Sequence, residues 1–190
     1  MDDVEGIRAR HYDLLAVLLG GPPGLDLLAT LVALPGGQGL LGQHVADLSR
    51  AAGEATAAAV EREFFSLFIG VGRGELLPYA SYYLTGFLNE RPLAQVREDL
   101  AALGLSRVEA MSEPEDHVAV LLEVMAGLAD GRFGAEPGAQ ARFFGRHLVP
   151  WADRFFTDLE GAQNARFYRA VGGLGRAFMA VEAAAFAMEA

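Results

Sequence analysis

"MSEPEDHVAVLLEVMAG", residues 111–127, opens with three acidic groups in four positions, Glu113, Glu115 and Asp116, and then turns apolar. The apolar half decides the fold. Val118, Leu121, Leu122 and Met125 stand at i, i+3, i+4 and i+7, the spacing of one buried helix face. The acidic half predicts where that helix starts. Ser112, three residues before Glu115, matches a capping box, and Pro114 suits a first turn, where its missing N–H costs nothing. The three carboxylates then lie against the positive end of the helix dipole, with His117 at the edge of the apolar stripe.

Acids at a helix start are ordinary stabilisers, each contributing about 0.3–1 kcal/mol. One or two are enough. The surplus leaves room for a guanidinium, whose fork matches a carboxylate. Both readings stand at this point.

Working outward, nearly every other segment also reads as helix. "IRARHYDLLAVLLG" places Ile7, Leu14, Leu15, Leu18 and Leu19 near a 3.6 repeat and stops at Gly20-Gly21. "GLDLLATLVAL" follows Pro22-Pro23, "LLGQHVADLSRAA" runs to Gly53, and "EATAAAVEREFFSLFIG" covers 54–70. Pro92 opens "LAQVREDLAALG". After a loop, "ADGRFGAEPGAQ", come "ARFFGRHLVPWADRFFTDLEGA", with Pro150 at a helix start or kink, and "NARFYRAVGGLGRAFMAVEAAAFAMEA". No strand alternates and no repeat recurs. The predicted fold is all-α, with about nine or ten helices in two parts: about 1–110, a hinge near 105–116, and 117–190.

Composition narrows the function. The 190 residues are 52% hydrophobic and 21% charged, a globular balance. There is no cysteine, so disulfides and thiolate metal sites are excluded. All fifteen basic residues are Arg, which a GC-rich genome accounts for. Net charge is −10, and residues 1–130 hold 19 acids against 8 Arg, a net of −11. That charge argues against nucleic acid and suits a cationic partner. The N-terminus "MDDVEGIRARHYD" lacks the basic and apolar regions of a secretory signal. No run of about 18 apolar residues is evident, so no membrane span is expected and the cytoplasm is the default location.

Other candidate sites are weaker. "GVGRG", residues 70–74, lacks the third glycine of a dinucleotide fingerprint, and a Walker A loop is impossible without Lys. It reads as a connection between helices. "LPYASYYLTGF" carries Tyr79, Tyr82, Tyr83 and Phe87, and the 79/83/87 set recurs every four residues as one helical face. That face is either core or the wall of a groove for an apolar peptide. His11, His44, His117 and His147 share no ligand spacing, so no metal site is expected. Asp116 and His117 are adjacent, so on a helix they point about 100° apart and do not form a general-base dyad.

Taken together, these stretches resemble the TorD/DmsD-type family of redox-enzyme maturation chaperones. The family signature is similar to Glu113-Pro114-Glu115-Asp116-His117. Upstream, "LFIGVGRGELLPYASYYLTGF" carries the matching Leu67, Phe68, Gly70, Pro78, Tyr79, Ser81 and Tyr83, and downstream the resemblance includes "HLVPW" and "FY". Several relatives have Trp where Tyr79 and Tyr83 stand. The resemblance implies an all-α chaperone, not an enzyme, with no cofactor of its own. It implies binding of the twin-arginine leader and apo form of a molybdenum or tungsten bis-pterin oxidoreductase subunit, delaying export until the cofactor is inserted. A monomer or a domain-swapped dimer is compatible with it. On this reading Glu113, Glu115 and Asp116 receive the arginines, and Leu67, Phe68, Tyr79 and Tyr83 line the groove for the apolar part. Pro78, Ser81, Pro114 and His117 complete the leader-binding set. The alternative is a helical adaptor that binds a folded partner without recognising a leader.

Overall fold

In a computed structural model, residues 3–105 and 113–189 are described. They form ten α-helices, and among the described residues there is no strand. The predicted fold class therefore holds. The chain divides into two compact units, Met1–Gly20 with Pro78–Ala152, and Gly21–Leu77 with Asp153–Ala190. The predicted hinge at 105–116 does not mark that division. The helices on either side of it belong to the same unit, and residues 106–112 lie outside the described part, together with the Ser112 capping box.

The first unit is built on α1 (Asp3–Gly20) packed along α7 (Val118–Ala129), with α5 (Ala80–Thr85), α6 (Arg91–Ala102) and α8 (Ala139–His147) completing it. Helix α7 is apolar all round, and every residue except Glu123 is buried. A helix of that composition belongs in a core. Its main packing partner is α1, where Tyr12, Leu15, Leu18 and Leu19 are likewise buried. Pro150 falls in the turn after α8, where Trp151 is buried and its indole N–H donates to the His147 carbonyl at 2.6 Å.

The second unit contains α2 (Leu25–Val32), α3 (Leu40–Glu54), α4 (Ala57–Phe64), α9 (Ala152–Gly161) and α10 (Phe167–Glu189). Helix α4 continues into a π-helical turn, Phe65–Ile69, closed by Gly70 N–H donating to the Phe65 carbonyl at 2.7 Å. Gly70 adopts φ +65°, and the loop then folds back so that Leu76 N–H reaches the Leu67 carbonyl at 2.8 Å. A Cβ on Gly74 would sit 2.5 Å from the Phe68 carbonyl carbon. The glycines of "GVGRG" thus serve a tight backbone return, as the connection reading expects.

Helix α10 packs along α3 and α4. By length and composition Phe167–Met188 is apolar enough to cross a membrane, which the sequence reading did not anticipate. Half of it is buried inside the protein, including Val171, Leu174, Phe178 and the polar Glu182. Its N-terminus is capped from a distance. The Glu63 carboxylate accepts from the backbone N–H of Arg166 at 2.8 Å, Tyr168 at 2.7 Å and Phe167 at 3.2 Å. These are donors that a helix start leaves without intrahelical partners. Glu63→Gln keeps an acceptor but loses the charge, so it should cost about 1–2 kcal/mol in a denaturant titration. Glu75 does the same for the preceding turn, accepting from the Gln163 N–H at 2.6 Å and the Asn164 N–H at 3.2 Å. Burial alone would raise its carboxyl pKa, and these hydrogen bonds pull it below the ordinary range instead.

Candidate functional site: the acidic turn and its partners

Helix α7 begins later than the sequence suggests. His117 is its N-cap, with ψ 137°, and its ring Nδ1 accepts from the Ala119 N–H at 3.1 Å. Residues 113–116 form a turn ahead of the helix, closed by the His117 N–H on the Pro114 carbonyl at 3.0 Å. Pro114 and the acids are therefore not in the first helical turn. A backbone pairing with another segment explains the shift. Ala80 N–H donates to the Asp116 carbonyl at 3.0 Å, and Val118 N–H donates to the Pro78 carbonyl at 2.8 Å. Tyr79 and His117 thus form an isolated antiparallel bridge. A residue held in an extended bridge cannot also be helical.

Each carboxylate of the turn has a partner within the first unit. Asp116 is 1% exposed, and its Oδ2 accepts from the Ser81 N–H at 2.8 Å. Together with the backbone contact from Ala80, this caps the start of α5 from 35 residues away in sequence. Ser81 is itself fully buried, and its hydroxyl accepts from the Glu90 N–H at 3.3 Å. The buried Glu115 takes a guanidinium: Nε and Nη2 of Arg97 both lie 2.9 Å from its Oε2. Glu113 is half-buried and accepts from the Tyr79 hydroxyl at 2.5 Å. Burial, with the Glu113 carboxylate second, pushes the Tyr79 phenol pKa up. The Tyr79 ring also meets the His117 ring edge-on, with centroids 5.0 Å apart.

His117 is neutral at ordinary pH. Burial pushes its pKa down to about 4, against the opposing pull of Glu113 and Asp116. With Nδ1 accepting, the ring proton sits on Nε2.

Of the predicted site residues, Pro78, Tyr79, Ser81, Glu113, Pro114, Glu115, Asp116 and His117 come together. Tyr83 is close by on α5 and meets the Trp151 ring at a tilt of 37°, with centroids 5.3 Å apart. The predicted 79/83/87 face does not exist. Tyr79 is the N-cap of α5, the helix ends at Thr85, and Gly86 turns the chain with φ +84°. Phe87 is left 69% exposed outside the helix. Leu67 and Phe68 belong to the second unit. There Leu67 is fully buried, and Phe68 packs edge-on against Phe64 and Tyr168, with centroids 5.0 and 5.4 Å away. Sequence reasoning missed Arg97, Glu63 and Glu75. Each acts on a partner at least 18 residues away, so no local pattern marks it.

A family model described as the nitrate reductase delta subunit matches residues 37–157. The chain belongs to that family. It is the TorD family named by the sequence resemblance. Similar proteins include the chaperone protein TorD of Aliivibrio fischeri, 31% identical over 130 residues, 63% of this chain and 60% of that one. TorD of Vibrio cholerae serotype O1 is 33% identical over 126 residues, 62% of this chain and 57% of that one. The match thus spans less than two thirds of either relative. TorD of Shewanella loihica is 29% identical over 164 residues, 83% of this chain and 75% of that one. A crystal structure of a candidate redox enzyme maturation protein from Archaeoglobus fulgidus superposes with a TM-score of 0.63 at 20% identity, covering 96% of both chains. That likeness concerns the fold.

Proposed function

We propose that this chain is a chaperone of redox-enzyme maturation, not an enzyme. It binds the twin-arginine leader of a molybdenum or tungsten bis-pterin oxidoreductase subunit in the cytoplasm and delays export until the cofactor is in place. One observation carries the reading. The two stretches behind the family resemblance, 78–83 and 113–117, are bonded into one surface by the Tyr79–His117 bridge and the Tyr79–Glu113 and Ser81–Asp116 hydrogen bonds. Membership of a family whose relatives bear the name chaperone protein TorD supports it.

On this surface the roles differ by burial. Glu113 is the accessible carboxylate and meets a leader arginine first. Glu115 takes an arginine at the cost of releasing Arg97. Asp116 and His117 hold the turn in shape. The apolar part of the leader finds Tyr82 and Tyr83, half-buried, and the exposed Leu84, Phe87 and Leu88 that follow them. Exposed ion pairs contribute about 0.2–1 kcal/mol each, whereas burying a Leu or Phe side chain contributes about 1.5–3 kcal/mol. Affinity therefore comes chiefly from the apolar contacts, and register and encounter rate from the acids.

The test is titration of a synthetic leader, two arginines followed by an apolar stretch, into the purified protein. Saturable binding is expected, and raising salt should slow association more than it speeds dissociation. No saturable binding would refute the reading and leave a helical adaptor for a folded partner.

A further inference from the structure

We propose that Tyr79 is a positioning residue that sharpens the preference for arginine: its phenol holds the Glu113 carboxylate in one orientation, so a guest guanidinium meets a fixed acceptor instead of a mobile one. The inference rests on the leader-binding reading above. Glu115 and Asp116 are 7% and 1% exposed, whereas Glu113 is half-buried. Among the described residues the Glu113 side chain has one hydrogen-bond partner, the Tyr79 hydroxyl, which donates to Oε2 at 2.5 Å. That donor is itself fixed on both sides. Ala80 N–H reaches the Asp116 carbonyl at 3.0 Å and Val118 N–H reaches the Pro78 carbonyl at 2.8 Å, which pins the backbone around Tyr79. The ring meets His117 edge-on, with centroids 5.0 Å apart. Burial first, and Glu113 second, raise the phenol pKa, so the hydroxyl keeps its proton and stays a donor.

A glutamate side chain loose in solvent samples many rotamers, and ordering it on binding weakens affinity. Tyr79 moves that ordering into the folding step. The phenol is neutral, so the carboxylate keeps its charge for the guest. Oε1 accepts one N–H of a guanidinium, and Oε2, which has a second lone pair, accepts another beside the phenol. A planar fork needs both oxygens in a set plane and gains from the fixed orientation. An ammonium is a compact point charge that demands no such plane, and it gains less.

Three leaders decide the matter by calorimetric titration: the twin-arginine peptide, the same peptide with both arginines replaced by lysine, and the same with both replaced by glutamine. Tyr79→Phe keeps the ring and removes only the hydroxyl. It should bind the twin-arginine leader about 3- to 10-fold more weakly than wild type does, the size expected from ordering one long side chain on binding. The twin-lysine leader should lose less, and the glutamine leader should bind with unchanged affinity. In a Glu113→Gln background Tyr79→Phe should cause no further loss, a coupling that a merely structural Tyr79 would not produce. Glu113→Asp keeps the charge but is one methylene too short for the phenol, so it should reproduce the loss, and it carries the test if thermal melts show that Tyr79→Phe does not fold. Equal weakening toward all three leaders would make Tyr79 a wall of the groove and overturn its positioning role alone. Unchanged or tighter twin-arginine binding by the variants, or the same loss in the Glu113→Gln background, overturns it as well. No saturable binding of any leader by wild type overturns the leader reading and this inference with it.

Discussion

Asp116→Ala is expected to lower the folding stability by about 2–4 kcal/mol, since a buried N–H left without its acceptor costs about 1–3 kcal/mol and a lost helix cap about 1 kcal/mol more. Asp116 is buried, and its carboxylate is the side-chain acceptor for the Ser81 N–H at the start of α5. Water has little access to repair the loss. For a chain of this size the melting midpoint should fall by roughly 10 °C, readable by circular dichroism. Asp116→Asn retains an amide oxygen for Ser81 and should lose about half as much. A variant as stable as wild type that no longer distinguishes arginine from lysine leaders would reassign Asp116 from holding the turn to touching the ligand.

The second large effect is on acid stability. The buried His117 ring stays neutral down to about pH 4, whereas in the unfolded chain it takes up a proton near the ordinary imidazole value of 6.5. Between those limits the unfolded state binds more protons, so stability rises with pH. The contribution is complete above about pH 6.5 and is lost as pH falls toward 4. Its size is on the order of 3 kcal/mol, from 1.36 kcal/mol per pKa unit. Protonating Nδ1 would also remove the acceptor for the Ala119 N–H. His117→Asn provides a non-titrating side-chain oxygen at the N-cap, a residue type favoured there. It should flatten the stability profile between pH 4 and 6.5 in urea titrations. A remaining slope is expected from His147, whose pKa is lowered first by burial against the opposing pull of Asp99. An unchanged slope in the variant would mean that His117 is not held neutral by the fold.

Both effects bear on what the sequence could reveal. The stripe Val118, Leu121, Leu122, Met125 identified α7 correctly, because a 3.6 period is a local property. The start of α7 was misplaced because Asp116 and His117 are engaged with Pro78, Tyr79 and Ser81, a tertiary constraint with no trace in the local pattern. The same limit applied to the Tyr79, Tyr83, Phe87 spacing. Three points four residues apart suit a helix, yet Gly86 in a left-handed conformation ends it first. At the candidate site the residue types were legible and their engagement was not. Three acids in four positions read as a surplus of negative charge. In the structure they answer to a phenol and a backbone amide from the 78–83 stretch and a guanidinium from α6.

The Asp116–Ser81 cap has a kinetic corollary. Helix α5 has only six residues, too few to persist alone in water. It must await the arrival of the 113–116 turn from across a long intervening span, so the two should nucleate and melt as one cooperative unit. Deuterium uptake at the Ala80 and Ser81 amides would then serve as a gauge of that turn. Whatever pries the acidic segment loose should be recorded, within the same exchange window, as fraying at the far end of the tether.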